Sequence, residues 1–325
     1  MNSKPLTYDS MKTVIQYMEP NTRFLLSSRS PSIRLIEKLV PLKVDELVFG
    51  GHFIKVNQKF YDYGVYHVDI PKPRKIFSAD RKRKREEECP EYEIQISFRQ
   101  GNSESFVIER VEYTGDLKKA PYSLMKFMFA NRRHVPQVNK LRNAPSFPMD
   151  FKIRFRSIIL WGDLGNNLEK VEPIIDESSF PLEKFFIDNG RYVDMDHEII
   201  KTSKILEFSP RRRGILWLIH DLSNQTVKLD VTSCDFFEDG GFIRLIKHWV
   251  ETDKPLGTCF MFRFCAIGEE SSIQILNYVS LRIDGAVAGD KCVDIPMNND
   301  TVLKISYERS IRNVFLIKMN VVDLE

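Results

Sequence analysis

Five apolar strand cores recur in the second half of the chain, near Ile158, Leu182, Ile205, Val227 and Phe260, and they constrain the fold more than any other feature. The steps between these marks are 24, 23, 22 and 33 residues. Helix-forming segments fill the gaps: "NLEKVEPIIDESS", "MDHEIIKTS", "GILWLIHDLS" and "DGGFIRLIKHWVET". A strand plus a helix or short turn every ~20 to 29 residues is the spacing of a leucine-rich-repeat solenoid, here with an enlarged last unit. Units of that length cross over to a parallel neighbour, so the five strands are expected side by side and parallel in one sheet. The consensus asparagine ladder of such repeats is absent, which makes the array degenerate. In the last of these helices Phe242, Leu245, Ile246 and Trp249 fall at i, i+3, i+4 and i+7, which places Trp249 in the core. Beyond it the spacing predicts one more helix, a strand pair turning at "NND" and a last strand at "NVFLIKMNVV".

The opening is different in texture. "PLTYDSMKTVIQYMEPNTRFLLSSRSPSIRLIEKLVPLKV" reads as three short amphipathic helices over residues 1–41, punctuated by "EPN" and "RSP" and stopped by Pro41. Met11, Val14, Ile15 and Met18 share one narrow apolar face of the first helix. Asn21 is placed to cap a second helix carrying Phe24 and Leu25, and Ser30 followed by Pro31 to open a third. About forty residues of helix is close to the lower limit for a self-supporting core, so this module must lean on something.

Residues 42–115 read as a meander of four to six strands interrupted at 72–90. The interruption carries Arg81, Lys82, Arg83, Lys84 and Arg85 in a row, followed by Glu86 to Glu88. Such a run cannot be buried; it is either a solvated hairpin insertion or a nuclear import signal. Phe77 is the one aromatic residue among the basic ones and the glutamates would repel phosphate, so no nucleic-acid partner is expected. From "APYSLMKFMFANRRH" onward, residues 116–325 form the strand–helix region. The fold class is therefore mixed, α+β or α/β: a helical module, a small meander, then the repeat-like array with its C-terminal strands.

Function classes can be excluded in turn. Apolar residues make up 42% of the chain and charged residues 29%, the balance of a globular protein. No apolar run approaches the ~18 to 20 residues of a membrane span, and "MNSKPLTYDSM" lacks the regions of a signal peptide. An intracellular location, cytoplasmic or nuclear, is expected, and no membrane partner. The cysteines, Cys89, Cys234, Cys259, Cys265 and Cys292, are odd in number and show no metal-ligand spacing, so they read as reduced thiols. No phosphate-binding, dinucleotide, nucleophile-elbow or zinc-helix motif occurs, and the six histidines form no i, i+4 pair. The acidic loop "DVTSCDFFEDGG" reads as carboxylates at the entry of a helix rather than as a metal site. We expect no enzyme, no metal and no cofactor.

The residues then bring a family into view. "PLTYDSMKTVIQYMEPNTRFLLSSRSPSIR" resembles a divergent F-box, with the usual opening "LP" inverted as Pro5-Leu6 and Tyr8 to Ser10 in place of its polar-acidic entry. "GGFIRLIKHWVE" with "FPLEKFFI" ahead of it resembles the F-box-associated region of the nematode-expanded F-box families, and the whole chain is similar to a nematode domain of otherwise unknown function. The resemblance implies a substrate-recognition subunit of a cullin-RING ubiquitin ligase. A Skp-type adaptor would be held by Leu6, Met11, Val14, Ile15, Met18, Phe24 and Leu25, and an unknown target protein by the α/β region. The alternative is a non-catalytic interaction scaffold whose F-box-like segment no longer binds an adaptor.

Overall fold

The computed structural model of the chain describes residues 7–63, 66–67, 92–98, 106–112, 117–188, 197–209, 219–231, 235–238, 240–264, 268–298, 300–309 and 315–324. The chain divides into two compact units, Met1–Asn139 with Pro145–Ile153, and Lys140–Ala144 with Arg154–Glu325. The helix expected to open the strand–helix region at residue 116 thus belongs to the first unit. The insertion at 72–90, with Arg81 to Arg85, lies outside the described residues.

The first unit begins with α1 (Tyr8–Tyr17), α2 (Pro20–Arg29) and α3 (Pro31–Leu39). Local chemistry sets these boundaries. Thr7 caps α1 by accepting from the Ser10 N–H, and Ser30 caps α3 ahead of Pro31 at its first position. The cap of α2 is Glu19, which accepts from the Thr22 N–H, and not Asn21, which is buried one position inside the helix. Ile15, Ile36 and Val40 form the core among these helices, with Met11, Met18 and Ile33 packed against it.

There follow β1 (Lys43–Phe49), β2 (Phe53–Val56), β3 (Lys59–Asp62), β4 (Tyr66–His67), β5 (Tyr92–Phe98), β6 (Phe106–Glu112) and α4 (Ala120–Phe129), and then β7 (Gln137–Arg142), which belongs to this unit only as far as Asn139. The strands run β7-β1-β2-β3-β5-β4 across the sheet, with β6 also on β5. The meander is antiparallel from β1 to β6. Val44, Leu47, Phe49, Ile54 and Val56 turn their side chains into the interior.

The second unit contains β8 (Arg154–Trp161), α5 (Leu164–Val171), β9 (Lys184–Asp188), α6 (Glu198–Thr202), β10 (Ile205–Ser209), β11 (Thr226–Val231), α7 (Asp235–Glu238), α8 (Gly241–Glu251) and β12 (Cys259–Phe264). It continues with α9 (Glu269–Arg282), β13 (Val287–Gly289), β14 (Cys292–Pro296), β15 (Thr301–Arg309) and β16 (Phe315–Asp323). The five expected strands do lie side by side and parallel, β8 to β12 in chain order. Register makes the reason visible. Ile158, Phe185, Leu206, Val227 and Phe260 stand in one row across the strands, and Leu160, Ile187, Phe208, Leu229 and Phe262 in a second. All ten are buried, so each strand contributes the same two rungs to a continuous core. The partner positions are 158 to 185, 185 to 206, 206 to 227 and 227 to 260, or 27, 21, 21 and 33 residues. Leu182 is buried but precedes β9, whose rung is Phe185.

Polar turns join the strands. Asn224, 2% exposed, donates to the carbonyls of Ile200 and Ser203, each at 2.7 Å, and so ties the entry of β11 to the entry of β10. Ser179 accepts from the Phe155 N–H at 2.9 Å one turn earlier. The segment "NLEKVEPIIDESS" is α5 followed by short 3-10 turns, because Pro173 cannot continue the helical hydrogen bonding. Of "GILWLIHDLS" the described part, from Ile219, is a 3-10 turn rather than a helix.

Antiparallel β16, β15, β14 and β13 extend the sheet beyond β12. On one face α8 covers the last parallel strands. Trp249 meets Phe260 edge-on with centroids 4.6 Å apart, and Phe242 meets Phe262 at 5.5 Å. The loop read as acidic supplies Phe236 and Phe237 to the same aromatic cluster. Gly241 opens α8 there, where a Cβ would come within 2.7 Å of the Phe236 ring. Trp249 is 0% exposed, so Trp249→Ala should cost about 3 to 5 kcal/mol of unfolding free energy in urea titration. A loss below about 1 kcal/mol would contradict its place in the core.

Candidate interaction surfaces

The helical module is held to its own unit by buried charge. Glu37 on α3 is 1% exposed and accepts from Arg132 Nη2 with both oxygens, at 2.7 and 2.9 Å. Arg23 on α2 reaches the same carboxylate at 3.0 Å and donates to the Pro41 and Val40 carbonyls. Burial pushes both guanidinium groups below their ordinary range, and Glu37 opposes that shift. Arg132 follows α4, so one carboxylate clasps α2, α3 and the end of α4. Removing Glu37 would cost about 3 to 5 kcal/mol, because both guanidinium groups would stay buried without a counter-charge.

Neighbouring contacts repeat the arrangement. Asn21 donates to the Val56 carbonyl at 3.1 Å and accepts from the Tyr61 hydroxyl at 2.6 Å, joining α2 to β2 and β3. Lys38 donates to the carbonyls of Phe127 and Ala130, at 2.7 and 2.8 Å, at the end of α4. The module therefore leans on the meander and α4.

This fixes what the expected adaptor residues can do. Ile15 and Phe24 are 3% exposed and lie in the interior, Phe24 against Phe129 with centroids 6.1 Å apart. They cannot form a docking surface in this conformation. Met11, Met18 and Leu25 are half-buried, the two methionines against the helical core. Val14 is 41% exposed, and Leu6 lies outside the described residues. The structure adds side chains that the periodicity did not select. Tyr17, three residues after Val14 on the same flank of α1, is 83% exposed, and Leu35 on α3 is 73% exposed. Their mark in the sequence was only that they were apolar residues off the core stripe.

The second surface is the face of the parallel sheet opposite α8. Its middle row runs Ile159, Phe186, Glu207, Lys228, Met261 and, on β16, Lys318. Beside it stand Trp161, Asp188, Ser209, Asp230 and Arg263. Glu207 binds Lys184 and, at 3.2 Å, Arg263; Asp230 binds Arg263 and accepts from the Ser209 hydroxyl at 2.6 Å. Each carboxylate thus has a basic partner. Trp161, 50% exposed, packs against Phe186 with centroids 6.1 Å apart.

Residues 116–266 match the model of a domain of unknown function, DUF3557. That agrees with the nematode domain implied by the resemblance. The DUF3557 match spans α4 to β12, including Trp161, Phe186 and the charged side chains of β9 to β12, and leaves out the helical module and β13 to β16. No curated protein and no solved structure matches the chain. Among the described residues no cluster of metal-ligating side chains occurs, and no helix is long and apolar enough to cross a membrane.

Lys38 makes the buried charge measurable. Burial, with Arg132 nearby, lowers its pKa from 10.5 to about 8. Between those values the unfolded chain binds more protons than the folded one, so the contribution of this group to stability rises with pH from about 8 to 10.5. Lys38→Met should remove that rise relative to the unchanged protein, in thermal melts at intervals across the window. Parallel curves for the two proteins would contradict the assignment.

Proposed function

We propose that the chain is a non-catalytic substrate-recognition subunit of a cullin-RING ubiquitin ligase. The helical module docks a Skp-type adaptor, and the α/β region, read as a degenerate leucine-rich-repeat-like array, holds the target protein. The observation that carries this reading is the exposure of Val14 and Tyr17 on one flank of a helix whose core face is already filled. Each large apolar side chain fully buried by a partner contributes ~1.5 to 3 kcal/mol, and a few suffice for a specific complex after association costs. The site is then narrower than the full apolar stripe: Val14 and Tyr17, with Met11, Met18 and Leu25 at its margin. The proposal places the protein inside the cell, in the nucleus too if Arg81 to Arg85 act as an import signal.

A scaffold with no adaptor is the second reading. The placement of Ile15 and Phe24 in the interior favours it, since part of the expected docking face is already occupied.

Val14→Asp separates the two. An exposed position accepts a charge, so the thermal midpoint should stay within a few degrees of the unchanged protein, while pulldown with purified Skp adaptor is lost. Failure of the unchanged protein to bind the adaptor, or binding undiminished by Val14→Asp, would leave the scaffold reading.

A further inference from the structure

Two histidines of the second unit face each other where α8 ends. His220 stands on the 3-10 turn at 219–221 that leads toward β11, and His248 in the last turn of α8, with the imidazole rings edge to face and their centroids 5.5 Å apart. Both are half-buried. Charged groups crowd the pair from each element packed there. Arg244 lies one turn before His248 on α8 and Glu251 one turn after, Lys254 comes from the segment beyond the helix, and Asp221 is the neighbour of His220 on the turn. Lys254 also donates to the Leu222 carbonyl at 3.4 Å, a second tie between the same two segments.

The charge balance makes this contact conditional. With both imidazoles neutral, Arg244 and Lys254 are matched among the described residues by Asp221 and Glu251, and Asp221 acts on His220 and Lys254 alike. Every proton the pair takes up is then excess positive charge. The rings lie well within the ~8 Å over which physiological salt screens charges, so two imidazolium ions would repel across the contact. We propose that His220 and His248 form an acid-sensitive latch, which holds the turn before β11 against the end of α8 while both rings are neutral and releases it when they are protonated. Burial, with His248, Arg244 and Lys254 nearby, holds His220 below its ordinary value of 6.5, and Asp221 opposes that shift only in part. The folded chain therefore binds fewer protons here than the unfolded one. The contribution of the contact to stability is complete above 6.5 and is lost as pH falls from there toward the lower value of the folded state.

The test is hydrogen exchange read by mass spectrometry on the full chain at about pH 7.5 and about pH 5.5, with labelling times scaled to the chemical exchange rate at each pH. Protection over residues 219–225 and 246–254 should fall at least about fivefold at the lower pH, while β15 and β16 of the same unit keep theirs. His220→Gln and His248→Gln each put an uncharged side chain into the pair, and either should remove most of that fall. The second serves if the first does not fold. Equal protection at the two pH values, a fall spread evenly over the second unit, or a fall undiminished in a folded variant would each overturn the assignment.

Discussion

Glu37 is the residue on which the first unit turns. A carboxylate out of water is costly unless its lone pairs are filled, and here two guanidinium groups fill them, one from α2 and one from the chain after α4. Each arginine also donates to backbone carbonyls, Arg23 to Pro41 and Val40 and Arg132 to Met128, so helix ends that would otherwise be unsatisfied are closed by the same side chains. The small apolar core of Ile15, Ile36 and Val40 could not hold three helices by itself. The charge cluster fixes α2 and α3, and α1 packs on them through Ile15, which leaves the Val14 and Tyr17 flank facing outward rather than folded into the core.

The second unit solves a different problem by repetition. Two buried rows, one rung per strand in each, make every parallel strand interchangeable in its contribution to the core. The opposite face is then relieved of packing and can vary. On that face the ion pairs of Glu207 and Asp230 with Lys184 and Arg263 tie neighbouring strands together. The aromatic cluster of Phe236, Phe237, Phe242 and Phe262 closes the parallel run before β16 enters antiparallel.

What was legible in the sequence follows from which interactions are local. The parallel strands could be read because each is a short apolar run returning at a nearly constant interval. The "FPLEKFFI" run was misplaced by a few residues because it is apolar on both sides of its start, so Leu182 and Phe185 are equally good marks. Helix caps at Ser30 and Thr7 depend on neighbours three residues away, whereas the role of Asn21 depends on Tyr61 and Val56. The Glu37–Arg132 contact joins residues 95 apart, and a single sequence offers no sign of it. β7, "QVNKLR", has two apolar residues among four polar ones and gave no strand signal, although Val138 and Leu141 are buried. For the candidate site, the apolar stripe of α1 was visible, but which of its members face inward was decided by α3. Lys228, Met261 and Lys318 fall in one row only through the pairing of β11, β12 and β16.

The central claim is that the helical module is folded into the first unit by buried charge and needs no partner for its structure, which is what frees its outer flank for one. Native-state hydrogen exchange on the chain alone measures this directly. The account predicts that amides of α2 and α3 are protected to the same degree as those of β1 and β2, since one cooperative unit contains them all. Exchange of α2 and α3 near the rate of an unfolded chain, with β1 and β2 still protected, would contradict it.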